Sequence, residues 1–159
     1  MKKQFTHIDA SGNPQMVDVS EKKITRRMAK AQAVVVPGKE ILSQIRNNEL
    51  ITKKGPVFQT AIIAGVMAAK KTHELIPFCH SLAIEDCQVR IEVKKERIVI
   101  TSETVVTGKT GVEMEALTAA SVAALTVYDM CKALTHEIVI EDIKLLEKRG
   151  GKKEKSKKK

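Results

Sequence analysis

At 159 residues, 43% hydrophobic and 30% charged, the chain has the size and composition of one globular domain that can bury a core without disulfides or metals. The absence of Trp and a single Tyr leave almost no aromatic platform on which single-stranded nucleic acid could stack. The net charge of +9 invites a polyanion, but +6 of it lies in residues 149–159, so specific nucleic-acid binding is not expected.

Residues 15–20, QMVDVS, follow the turn-forming Gly12-Asn13-Pro14 and predict a short strand. A second strand is predicted from residue 24, where Thr25, Arg27, Ala29, Ala31, Ala33 and Val35 alternate on one face. The small side chains on that face require a closely packed neighbour. Pro37 opens a predicted helix to about residue 48, with Ile41, Leu42 and Ile45 as its apolar stripe. TKKGPVF, residues 52–58, reads as a loop with Pro56 at the first position of the next helix. Along that helix Phe58, Ala61, Ile62, Gly65, Val66 and Ala69 recur at spacings of three and four. Lys70, Lys71 and His73 suit its C-terminal dipole, and Pro77 stops it.

Beyond LIPFCHSL a third alternation sets Cys87, Val89, Ile91 and Val93 against Asp86, Gln88, Arg90 and Glu92. KKE then turns the chain into a partner strand over residues 97–106. A long helix over 111–134 and a last strand over 136–146 complete the pattern. RGGKKEKSKKK has nothing apolar to bury, which predicts a disordered basic tail at 149–159 after one folded unit at 1–148. Strand, helices, strand, strand, helix, strand is the split βαβ order. The expected fold is α+β: a ferredoxin-like antiparallel sheet with helices packed on one face.

No apolar run is long enough to span a bilayer, and Met1-Lys2-Lys3-Gln4 leads into no apolar signal core, so a cytoplasmic protein away from membranes is expected. Cys79, Cys87 and Cys131, an odd number at spacings of 8 and 44, suit reduced thiols. Cys79-His80 adjacency points the two side chains apart and is no zinc signature. Neither a metal nor a cofactor is expected.

TGKTGVEMEAL, residues 107–117, ends like a phosphate-cradling loop. A P-loop would need glycine where this chain has Glu103, whose charge would face the phosphates, so that reading fails. The helix that follows is more informative. At 100° per residue Glu115, Thr118, Ser121, Thr126, Asp129 and Lys132 fall on one stripe of an otherwise apolar or small-residue helix, with Glu113 apart from them. Asp129 and Lys132 at i, i+3 form an ordinary helix-stabilising pair by themselves. So few ions on so apolar a helix favour a salt-bridge network or a ligand. Glu115 and Asp129 lie about 21 Å apart along the axis, so one small site cannot use both ends unless a second subunit supplies one of them. With His80 and the lysines and arginines off the tail, these acids suit a small polyanion with a guanine-type N–H edge.

MVDVS, KKGPVFQTAIIAG, LIPFCHSL and above all TGKTGVEMEALTAASVAALTVYDMCKAL resemble the MoaC family of molybdenum-cofactor biosynthesis. The resemblance implies a lyase, cyclic pyranopterin monophosphate synthase. Such an enzyme converts 3',8-cyclo-7,8-dihydroguanosine 5'-triphosphate to cyclic pyranopterin monophosphate and pyrophosphate. It also implies a homo-hexamer, a trimer of dimers with active sites between subunits. Asp129, Lys132 and Lys54 become catalytic candidates. Phe78, Cys79, His80, Glu113, Met114 and Glu115 match substrate-binding segments, with Arg27 and Lys70 as further phosphate ligands. Ser81 and Pro56 depart from the family's Cys-His-Pro and Lys-Gly-Asp-Val patterns. The rival reading is a noncatalytic oligomeric module that binds nucleic acid through its tail.

Overall fold

A computed structural model describes residues 8, 9, 11–151 and 155. In chain order the elements are β1 (Thr25–Val36), α1 (Lys39–Leu42), β2 (Ile51–Thr52), β3 (Gly55–Pro56), α2 (Val57–Lys70), α3 (Thr72–Leu75), β4 (Asp86–Lys94), β5 (Arg97–Gly108), α4 (Glu113–Cys131) and β6 (Val139–Arg149). The main sheet runs β4-β5-β1-β6 with every neighbour antiparallel, and α2 and α4 cover one face. This is the split βαβ topology that the element order predicts.

The alternating pattern of β1 has a direct structural cause. Ala29, Ala31, Ala33 and Val35 are fully buried, facing the helices. Opposite them α4 presents Ala116, Ala119, Ala120, Ala123 and Ala124, equally buried. Methyl-sized side chains on both surfaces let the helix backbone approach the sheet closely, so Ser102 on β5 donates its hydroxyl to the Ala116 carbonyl at 2.6 Å. Between the helices Gly65 does the same work, since a Cβ there would lie 2.9 Å from the Ala119 carbonyl oxygen. On the sheet's other face lie ion pairs such as Lys30–Glu103 and Arg97–Glu141.

Several predicted elements differ from those observed, each for a local reason. Residues 15–19 form no strand: Asp18 instead accepts from the Ser20 backbone N–H and hydroxyl, which holds a turn. The helix expected over 37–48 is one turn, Lys39–Leu42, because Asn47 and Asn48 adopt positive φ of 52° and 56° and fold the chain back to pair Arg46 with Glu49. The expected loop at 52–58 contains the small β2–β3 hairpin, and Pro56 is the N-cap residue of α2. After Lys70 the chain makes the separate turn α3 before Pro77. The long helix begins at Glu113 and ends at Cys131, inside its predicted bounds.

The last strand starts later and runs further than predicted. It extends through Arg149, which pairs with Met28, so a boundary after residue 148 cuts through β6. Gly150 follows with φ +82°, so close that a Cβ would lie 2.0 Å from the Arg26 carbonyl oxygen. Lys155 bridges back to Lys148. The rest of the predicted disordered tail, 152–154 and 156–159, lies outside the described residues.

Candidate functional site

Apart from Lys70, the ionic site candidates singled out from sequence gather at the two ends of α4. At its N-terminal end a cleft of about 940 Å³ opens between the 17–23 segment, the start of β1, the β5–α4 turn and the end of β6. Lys22, Lys23, Arg27, Lys109, Lys148 and Arg149 line it against only two acids, Glu21 and Glu113. Six cations to two carboxylates give the cleft a positive field suited to a polyanion.

Its walls are held by specific hydrogen bonds. Arg27 donates Nε–H to the Gly108 carbonyl at 3.0 Å, and Lys109 donates to Ser20 O at 2.7 Å. His80 donates Nε2–H to Val17 O at 2.9 Å, which ties the 17–23 segment over the site. Glu113, at the start of α4, pairs with Lys148 at 2.7 Å.

Lys148 and the 17–23 segment are what the sequence reading missed. Lys148 pairs with Ala29 and so lies on the helical face; β6 gains two residues on β1, at irregularities between Lys30 and Ala31 and between Gln32 and Val34, which sets Lys148 opposite Ala29 rather than Arg27. Alternation along β6 leaves its facing ambiguous: Ile140 and Leu145, of opposite parity, both pair with inward-facing residues, Val35 and Ala31, and only a count from Ile140 puts Lys148 on that face. The sequence pattern offers only a short strand at 15–20 and nothing for 21–23; the hydrogen bond between Val17 and His80 makes the segment part of a site.

The expected binding segments divide. His80 and Glu113 line the cleft. Glu115 lies behind it, nearly fully buried, and desolvation raises its carboxyl pKa, with the nearby Glu113 charge adding to the rise. Cys79 is half-buried, and burial first and Glu115 second push its thiol pKa up, so it is no activated nucleophile. Phe78 and Met114 are exposed outside the cleft lining. Lys70, at the end of α2, lies near Cys87 rather than in the cleft.

At the C-terminal end of α4, Asp129 receives two ammonium groups. Lys132 contacts Oδ1 at 2.7 Å, and Lys54, from the β2–β3 hairpin, contacts Oδ2 at 2.7 Å and the Asp129 carbonyl at 2.9 Å. The Lys132 and Lys54 hydrogen bonds hold the exposed Asp129 carboxyl at a pKa of about 2, and Asp129 in turn raises that of Lys132. Between the two ends the polar stripe dissolves. Ser121 and Thr126 donate their hydroxyls to the Leu117 and Val122 carbonyls of their own helix, and Glu115 points inward. The outward side of the helical layer is instead apolar, with Ile63, Met67 and Leu125 each more than half exposed.

Residues 16–151, most of the chain, match the sequence model of the MoaC family. The chain belongs to the MoaC family. That membership gives it a role in molybdenum cofactor biosynthesis and in the pterin chemistry of that pathway. The match spans both ends of α4 and every residue of the cleft. No helix among the described residues of this MoaC-family chain is long and apolar enough to cross a membrane.

Proposed function

We propose that this MoaC-family chain is a cyclic pyranopterin monophosphate synthase. It would be a lyase that converts 3',8-cyclo-7,8-dihydroguanosine 5'-triphosphate to cyclic pyranopterin monophosphate with release of pyrophosphate. The observation that carries the reading is the cleft, where six cations adjoin Glu113 and His80. Cations neutralise a triphosphate, while a carboxylate and an imidazole hydrogen-bond the N–H and O–H groups of a purine-derived ring.

The Asp129 cluster supplies proton transfer in this scheme. In the free chain Asp129 is a weak base, because Lys132 and Lys54 hold its pKa at about 2. A phosphate arriving beside it competes for both ammonium groups. As the lysines turn to the phosphate, the carboxyl regains proton affinity and becomes a base when substrate is present. In the closing step a ribose hydroxyl oxygen bonds to the α-phosphorus. The bond from that phosphorus to the bridging oxygen breaks, and pyrophosphate leaves with the electron pair. The hydroxyl proton passes to a base, and lysines neutralise the departing charge.

Glu113 and Asp129 are about 24 Å apart along α4 at 1.5 Å per residue, too far for one small substrate to touch both in one copy. The site is therefore completed by a second copy in a homo-oligomer, a hexamer built as a trimer of dimers. The exposed Ile63, Met67 and Leu125 support such an assembly, since apolar side chains gathered on one face favour association. The test is incubation of the full chain with the cyclised triphosphate. Equimolar pyrophosphate and cyclic pyranopterin monophosphate are expected, and their absence overturns the reading.

A further inference from the structure

Pro56 is the N-cap residue of α2 and offers the helix no side-chain hydrogen bond. A helix start leaves backbone N–H groups without partners unless something outside the helix accepts from them. Here the acceptor comes from seven residues upstream. Glu49 Oε1 accepts from the Phe58 N–H at 2.8 Å and Oε2 from the Gln59 N–H at 3.1 Å. Oε1 also accepts from Leu50 N–H at 2.7 Å. One half-buried carboxylate thus binds both strands of chain that enter and leave the β2–β3 hairpin.

The same hairpin carries Lys54. Its base is fixed by Glu49, which pairs with Arg46 in both directions at 2.9 Å, and by the Val57 N–H to Leu50 O bond at 2.9 Å. Its rungs are Ile51↔Pro56 and Thr52↔Gly55. Near the tip Thr52 Oγ1 accepts from the Lys54 N–H at 3.2 Å, and Lys54 then reaches Asp129 on α4. Since α2 packs against α4, fixing the hairpin to the start of α2 also fixes where Lys54 meets Asp129.

We propose that Glu49 is a positioning residue for the Lys54–Asp129 pair: it caps α2 in place of Pro56 and clamps the hairpin that delivers Lys54. Its consequence for turnover rests on the synthase reading; its consequence for Asp129 does not. A purely structural cap would change stability alone. A positioning clamp also changes the proton affinity of Asp129, because Lys54 is one of the two groups that depress it.

The experiment titrates the Asp129 side chain by carboxyl-carbon NMR in the full chain, in the wild type and in Glu49→Ala, Glu49→Gln and Lys54→Ala. The expected midpoint is about 2 in the wild type. In Glu49→Ala it rises toward 3.8 and coincides with that of Lys54→Ala, while Glu49→Gln, which keeps part of the capping, lies between. Adding Pro56→Asp to Glu49→Ala places an accepting side chain at the N-cap itself and returns the midpoint to the wild-type value. Pyrophosphate release falls roughly tenfold or more in Glu49→Ala and recovers in the double variant. A midpoint unchanged in Glu49→Ala overturns the proposal. Should Glu49→Ala fail to fold, an unchanged midpoint in Glu49→Gln overturns it. A shift not reversed by Pro56→Asp refutes the capping route. Shifted midpoints without pyrophosphate release from the wild type uphold the clamp and refute the synthase reading instead.

Discussion

Asp129 and Glu115 sit on the same helix and show how differently a carboxyl group behaves in two settings. Asp129 is exposed, and its ion pairs matter for the state of its proton more than for stability, since solvent screens exposed pairs. Its i, i+3 pairing with Lys132 was legible in sequence, whereas the approach of Lys54, 75 residues away, was implied only by family resemblance. Glu115 is the opposite case: helical projection puts it on one stripe with Asp129 and Lys132, yet packing buries it while Asp129 stays exposed. Because its folded pKa is raised above the ordinary 4.5, the folded state binds more protons than the unfolded one just above that pH. Stability therefore falls as pH rises through that window. Glu115→Gln removes this loss, so the variant gains stability relative to wild type as pH is raised from about 4 to about 7. Urea unfolding at several pH values measures the difference, and a difference flat with pH would show that Glu115 titrates normally.

Among the elements, α4 organises the molecule by being narrow. Its alanine side packs on β1 and β5, and its contact with α2 depends on Gly65. Any side chain at Gly65 meets backbone at Ala119 and side chains at Val89 and Ala123 within 3.3 Å, so the helices must separate. Gly65→Ala is expected to cost about 1–3 kcal/mol, as overpacking of a tight core does. Thermal unfolding reads this as a lower Tm, and an unchanged or higher Tm would mean that the interface can yield. The strands of the main sheet and both long helices were legible because their periodicity reports burial directly. The 37–48 segment and the end of β6 were not. Positive-φ asparagines end one, and irregular pairing with β1 carries the other past its predicted limit.

For the whole molecule, the decisive geometry is the separation of two chemical groups by one helix. The proposed shared-site assembly predicts complementation. Asp129→Asn removes the C-terminal cluster, and His80→Ala loosens the cleft at the other end. Each homo-oligomer should be nearly inactive in pyrophosphate release, while mixed oligomers formed by co-expression regain a measurable fraction of activity. No recovery in verified mixed oligomers would place the whole site within one copy.

By itself the sequence determined the layers of the fold, the small-residue seam beneath α4 and the presence of ions at both ends of that helix. All of these are periodic or compositional, and periodicity in a chain is set by which faces must leave water. Tertiary structure alone decided that Lys148 enters the cleft, that Val17 lies over His80, that Glu115 is buried and that Glu49 caps α2. Each depends on contacts between residues distant in the chain or across a loop, where register and closure, rather than local pattern, choose the partner.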